Sequence, residues 1–100
     1  MKFNEVLDAL KNGERLVNST LSNMGAFIVR QVPQTVSAEI VPKMTSLPAS
    51  AKEHISETNS EISYKDQVLL VWWNPTEGRY NATSYVPTWE DIFREDWTIA

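Results

Sequence analysis

The chain has 100 residues, 42% of them apolar, and a formal net charge of −4. That length supports one domain with a modest core, and the acidic balance argues against a protein that grips long nucleic acids through a broad basic surface. With no Cys and the single His54 there is no disulfide, thiolate nucleophile or Cys/His zinc site.

A small anionic ligand remains possible, because a few well-placed donors can hold a phosphate inside an acidic protein. No apolar run approaches the roughly 20 residues of a membrane span, and no secretory leader pattern opens the chain, so a cytosolic, non-membrane protein is expected.

In chain order, Phe3, Val6, Leu7 and Leu10 fall at i, i+3, i+4 and i+7 and predict a short amphipathic helix, with Asn4 as N-cap and Gly13 as its stop. Residues 15–17 read as a short strand, 18–25 as a polar loop of small residues, and 26–32 as a strand broken by Pro33. Over 34–41, Val36, Ala38 and Ile40 alternate with Ser37 and Glu39, the pattern of a half-buried strand. A hairpin through Pro33-Gln34 would pair it antiparallel with the strand before. Ser46-Leu47-Pro48, with Ser46 as a possible N-cap, then precedes a short helix over 49–55, and 57–61 reads as polar loop.

Val68 to Trp73 is apolar without interruption, which makes 67–73 the strongest strand. Such a run suits a central strand covered on both faces, or covered on one face by a partner subunit. Residues 74–79 carry turn chemistry and 80–86 return as the second arm of a hairpin. Pro87 then stops the ladder, Thr88 caps a helix, and Asp91 completes a Thr-x-x-Asp capping box. Ile92 and Phe93 give that helix an apolar side, Asp96-Trp97 ends it, and a final strand closes the chain. The expected fold is α+β: a single domain over 1–100, with a small antiparallel sheet of about four or five strands and short flanking helices.

Tyr85 is the leading candidate for ligand contact, since it stands at a strand end just before a helix start, where an aromatic ring and free N–H groups can meet a nucleotide. Thr88 and Asp91 lie beside the same mouth, although mutual capping accounts for both. The loop residues Asn18, Ser22, Asn23 and Gly25 suit a close backbone approach to phosphate or ribose, with Leu21, Met24 and Phe27 completing the segment; a plain solvated connection uses the same residue types. Arg30, Lys43, Lys52, Lys65 and Arg79 are the cations weighed as phosphate partners. Glu90-Asp91 and Glu95-Asp96 lack a nucleophile or metal partner, so no enzyme, cofactor or metal is expected.

The ending of the chain, Tyr85-Val86-Pro87-Thr88-Trp89-Glu90-Asp91-Ile92 through Asp96-Trp97, resembles the phage and prophage family of small proteins that includes Thoeris anti-defence protein two. Met1 to Gly13 is similar to that family's opening, and Met44 to Pro48 followed by Ile62 to Gln67 is similar to a branch with a longer central loop. Within 18–25 the family typically carries an Arg and a Trp, and here Asn18 and Leu21 stand at those places. The resemblance implies a sponge that binds and sequesters a cyclic nucleotide immune signal without cleaving it, either a cyclic ADP-ribose isomer of Thoeris or a cyclic dinucleotide of CBASS. It further implies a homo-oligomer, commonly a tetramer, acting in the cytoplasm of the infected bacterial host, with pockets lined from adjacent protomers. The alternative is a small phage structural or protein-interaction domain with no nucleotide ligand.

Overall fold

Helix α1 (Phe3–Lys11) opens the computed structural model, which describes residues 1–100. Its inward side is Val6, Ala9 and Leu10, with Phe3 packed against the same core. Leu7, expected on that side, is 46% exposed. The small side chain of Ala9 sits against the core instead. The helix also starts earlier than expected: Lys2 is the N-cap and Asn4 lies inside the helix. Glu5 explains the shift, because its carboxylate accepts from the Lys2 backbone N–H at 3.1 Å and satisfies a donor at the helix start. Gly13 ends the helix as expected, at φ +83°, a conformation that glycine adopts without a Cβ penalty.

The strands are β1 (Leu16–Val17), β2 (Ala26–Gln31), β3 (Gln34–Val36), β4 (Ile62–Tyr64), β5 (Gln67–Asn74), β6 (Arg79–Ser84) and β7 (Thr98–Ile99). Between them lie α2 (Ser19–Asn23), a 3-10 turn over Val41–Lys43, α3 (Ala49–Glu57) and α4 (Trp89–Phe93). The fold is α+β, as expected. The chain divides into two compact units, one of residues 1–31 with 67–100, the other of 32–66.

The first unit holds a five-stranded antiparallel sheet in the order β6-β5-β2-β1-β7. Strand β5 is interior and paired along both edges, with β2 in the middle of the sheet. Pairing of Ala26 with Trp72, Ile28 with Leu70 and Arg30 with Val68 puts those side chains on one face. On that face Val6, Leu10, Leu16, Ile28 and Trp97 form the core, with Val68, Leu70, Trp72 and Tyr85 packed against it. The other face carries Phe27, Val29, Leu69, Val71, Trp73, Tyr80 and Ala82. None of these seven is fully buried.

The β5–β6 turn has the chemistry its sequence implies. The Asn74 side-chain oxygen accepts from the backbone N–H groups of Thr76 at 3.1 Å and Glu77 at 3.2 Å. From β6 at one edge of the sheet, residues 85–97 run to β7 at the other edge, a separation of four strand gaps, roughly 19 Å. The path is over the core face, where Tyr85 packs and Trp97 is fully buried.

The second unit departs from the expected hairpin. Strand β3 pairs with β4 in a separate two-stranded sheet, not with β2. Tight two-residue hairpins need residues at positive φ, and Val32-Pro33 offers a β-branched residue and a ring locked at negative φ. The expected strand over 34–41 also stops at Val36. Ile40 and Val41 instead donate to the Ser37 carbonyl at 3.0 and 3.1 Å, and Pro42 is the second residue of the 3-10 turn that follows. Helix α3 runs two residues beyond its expected end, taking Glu57 from the expected loop, and its N-cap is Pro48, so Ser46 plays no capping part. Val41 is the fully buried anchor of this unit.

Candidate functional site

Helix α4 is five residues long and none of them is fully buried. Its start is fixed by the capping box that the sequence predicts. The Asp91 N–H donates to the Thr88 hydroxyl oxygen at 3.2 Å, and the Thr88 N–H donates to the Asp91 carboxylate at 3.0 Å. The expected apolar side divides: Ile92 is half-buried, while Phe93 is 75% exposed and stacks on Trp89, itself 74% exposed. The core position belongs to Trp97. Its indole N–H donates to the Asp91 carbonyl at 2.9 Å, and its ring meets Phe3 edge-on at 6.0 Å.

Tyr85 is half-buried on the core face, directly before this helix start. Its hydroxyl oxygen is buried without a hydrogen-bond partner. Burial, first, pushes the phenol well above its ordinary pKa, and the Asp91 carboxylate beside the hydroxyl, short of full hydrogen-bond geometry, adds to the rise as an acceptor and as a charge. For Asp91 itself burial works toward a higher pKa. The Thr88 N–H and hydroxyl, Tyr85 and the Arg94 charge outweigh it and hold the carboxyl below the usual range. Tyr85, Thr88 and Asp91 therefore belong to one ordered group, as their sequence spacing suggests.

The segment from Asn18 to Phe27 is more structured than its composition implies. Ser19–Asn23 is helical where a loop was expected. Asn18 is its N-cap, only 3% exposed, and its side-chain oxygen accepts from the Leu21 N–H at 2.9 Å. Leu21 anchors the helix in the core at 9% exposure. The cap and the apolar anchor together explain why this stretch folds. The two positions where the sequence departs from its resemblance, Asn18 and Leu21, are thus both turned into the fold. Ser22, Asn23, Met24 and Gly25 are exposed at the far end of α2, next to the start of β2.

Phe27 lies on the opposite face of the sheet from Tyr85. Phe27 pairs with Val71, whereas the Tyr85 N–H donates to the Val68 carbonyl at 2.8 Å and the Tyr85 side chain packs with the core. Around Phe27 on the outer face stand Tyr80, with ring centroids 6.3 Å apart, and Arg15, whose guanidinium lies 5.0 Å from the Phe27 centroid. Trp73 meets Tyr80 edge-on at 5.1 Å.

Four further residues join the two candidate segments. Arg94 donates through Nε to Asp96 Oδ1 at 2.8 Å and through Nη2 to Asp96 Oδ2 at 2.8 Å. It also reaches Thr20 Oγ1 at 3.0 Å and Ser19 Oγ at 2.9 Å. Asp96 accepts in turn from the Ser19 backbone N–H at 3.1 Å and hydroxyl at 2.7 Å. Hydrogen bonds from Arg94, first, and from Ser19 hold the Asp96 carboxyl far below the usual range, and Asp96 raises Arg94 correspondingly. These partners lie 74 to 77 residues apart in sequence, beyond the reach of local pattern. The one available signal was the Arg-x-Asp spacing just before Trp97.

Among the cations weighed from sequence, Arg79 pairs with Glu77 and Lys52 donates to the Met44 carbonyl at 2.9 Å. No helix of the protein is long and apolar enough to cross a membrane. Comparison with curated proteins finds no match. The family model described as Tad2-like, the Thoeris anti-defense 2-like domain, matches residues 1–100, the length over which both the ending and the opening show the resemblance, and the chain belongs to that family.

Proposed function

We propose that this Thoeris anti-defence domain is a sponge that binds a cyclic nucleotide immune signal and withholds it from its effector without cleaving it. The ligand class is a cyclic ADP-ribose isomer of Thoeris or a cyclic dinucleotide of CBASS. The observation that carries the reading is Tyr85: a half-buried ring beside an ordered helix start, with its hydroxyl set by the Asp91 carboxylate. A base stacked on the open part of that ring would bind through the ring and leave the hydroxyl to Asp91.

The carboxylates support a binding role over a chemical one. Asp91 is committed to Thr88, and Asp96 to Arg94 and Ser19. Both are held below the usual carboxylate range, which makes them weak proton acceptors near neutral pH.

Assembly into a homo-oligomer, a tetramer by the family's habit, belongs to the same proposal. The outer sheet face supports it: Trp73 is 45% and Tyr80 61% exposed there, and its strand positions carry no Asp or Glu in a chain of net charge −4. Charge depletion and aromatic enrichment are the marks of an interface core. The site of action is the cytoplasm of the infected host, where the signal is made.

Titration calorimetry with cyclic ADP-ribose isomers and cyclic dinucleotides tests the site. Tyr85→Ala is expected to weaken binding about five- to 150-fold, or about 1–3 kcal/mol, while Tyr85→Phe keeps most of the affinity. Unchanged affinity in Tyr85→Ala moves the pocket elsewhere. The second reading, a protein-interaction domain without a nucleotide, is favoured by the exposed stack of Trp89 on Phe93.

A further inference from the structure

Arg94 is the residue a phosphate ligand would be expected to seek, yet its surroundings argue for another task. Only 18% of its side chain is exposed. A guanidinium has five N–H donors in a fixed fork, and four hydrogen bonds to Asp96, Ser19 and Thr20 occupy most of that capacity. An incoming phosphate would also face the Asp96 carboxylate that neutralises the fork. The cation is in use.

That use bears on α4. A five-residue helix is too short to hold itself, and this one has no fully buried residue to seat it. Together with the half-buried Ile92 and the Met1 ammonium bonds to the Glu95 and Trp97 carbonyls, polar ties at three points place it. The Thr88–Asp91 capping box fixes the start, and the Trp97 indole bond to the Asp91 carbonyl fixes the middle. Arg94, which is the C-cap, fixes the end by tying α4 to the first residues of α2 and to Asp96. Any shift of α4 moves the Asp91 carboxylate relative to the Tyr85 hydroxyl.

We infer that Arg94 is a positioning residue, which with Asp96, Ser19 and Thr20 clamps α4 and so holds the Tyr85–Asp91 group in place without touching ligand. The inference concerns the site proposed above, but its first test needs no ligand. Hydrogen exchange of the Trp97 indole N–H and the Ile92 amide, followed by NMR, reads the seating of α4 directly. Arg94→Gln is expected to speed exchange at both about tenfold or more while amides of β2 and β5 stay nearly unchanged, the pattern of local opening. Arg94→Lys, which keeps the charge but loses the fork, falls between. Asp96→Asn gives the same local pattern with Arg94 intact, and serves if Arg94→Gln fails to fold. Exchange unchanged at the two α4 probes, or raised equally throughout the sheet, overturns the inference.

A binding arm uses a cyclic ADP-ribose isomer and a cyclic dinucleotide as probes. Weaker binding by Arg94→Gln with an unaltered salt dependence agrees with positioning. Weaker binding with a flatter salt dependence and unaltered exchange means that Arg94 contacts phosphate, and overturns it. If the unmodified protein binds neither probe, the sponge reading fails, and the exchange result alone decides the role of Arg94.

Discussion

The two faces of the five-stranded sheet are made by the same strands and differ only in residue parity. One is covered by the chain itself, with Ile28, Leu16 and Val6 fully buried and Trp97 seated among them. The other has Trp73 and Tyr80 partly open to solvent and no fully buried side chain. An uninterrupted apolar run such as Val68 to Trp73 is therefore two messages interleaved: even-numbered residues pack against the core, and odd-numbered ones face away from it, Leu69 and Val71 half-buried and Trp73 exposed. The candidate ligand group, Tyr85 with Thr88 and Asp91, belongs to the self-covered face, and the proposed assembly surface to the open one.

Substitutions on the two faces should therefore part company. The largest effect is expected from Trp97→Ala, which removes a fully buried ring and its bond to the Asp91 carbonyl, at a cost of about 3–5 kcal/mol in chemical denaturation. Thr88→Ala loses the cap of α4 and should cost about 0.5–2 kcal/mol. If that variant keeps its melting temperature but loses nucleotide binding, Thr88 is a ligand contact before it is a cap. On the open face, Trp73→Ala and Tyr80→Ala should cost the protomer fold under about 1 kcal/mol, yet move light-scattering mass toward the 11.4 kDa protomer. A stability loss there as large as that of Trp97→Ala, with mass unchanged, would erase the distinction between the faces.

The smallest effect is a pH dependence. Asp91 and Asp96 have folded pKa values below their unfolded ones, so their contribution is complete above the ordinary carboxylate value of about 4 and is lost as pH falls through the folded values. Asp96→Asn should be less stable than the natural sequence at neutral pH, with a gap in melting temperature that narrows only below about pH 4. A gap that widens on acidification contradicts the Arg94–Asp96 pairing.

Much of this was legible in the residues because the relevant physics is local. The Thr88–Asp91 box, the Gly13 stop and the Asn74 turn each involve partners within three residues or so, and each appears as its spacing implies. Helix α2 was missed because Ser, Thr and Asn suit loops, and only the burial of Leu21 beneath an Asn18 cap makes the turn helical. The hairpin after Pro33 was misplaced because the alternation of Val36, Ala38 and Ile40 says nothing about which strand lies alongside. The candidate site was legible at Tyr85, Thr88 and Asp91. Phe27 fell on the other face because register across β2 and β5 decides parity, and Arg94 was hidden because its partners come from the other end of the chain.

The most direct test of the sponge account is recovery of its ligand. The purified, assembled protein is incubated with a panel of cyclic ADP-ribose isomers and cyclic dinucleotides, freed of unbound nucleotide, and denatured by heat, and the released material is identified by mass spectrometry. The account predicts an intact cyclic nucleotide released in proportion to protomer, and much less from Tyr85→Ala. A linearised or hydrolysed product would make the protein an enzyme, and no retained nucleotide from the panel would contradict sequestration.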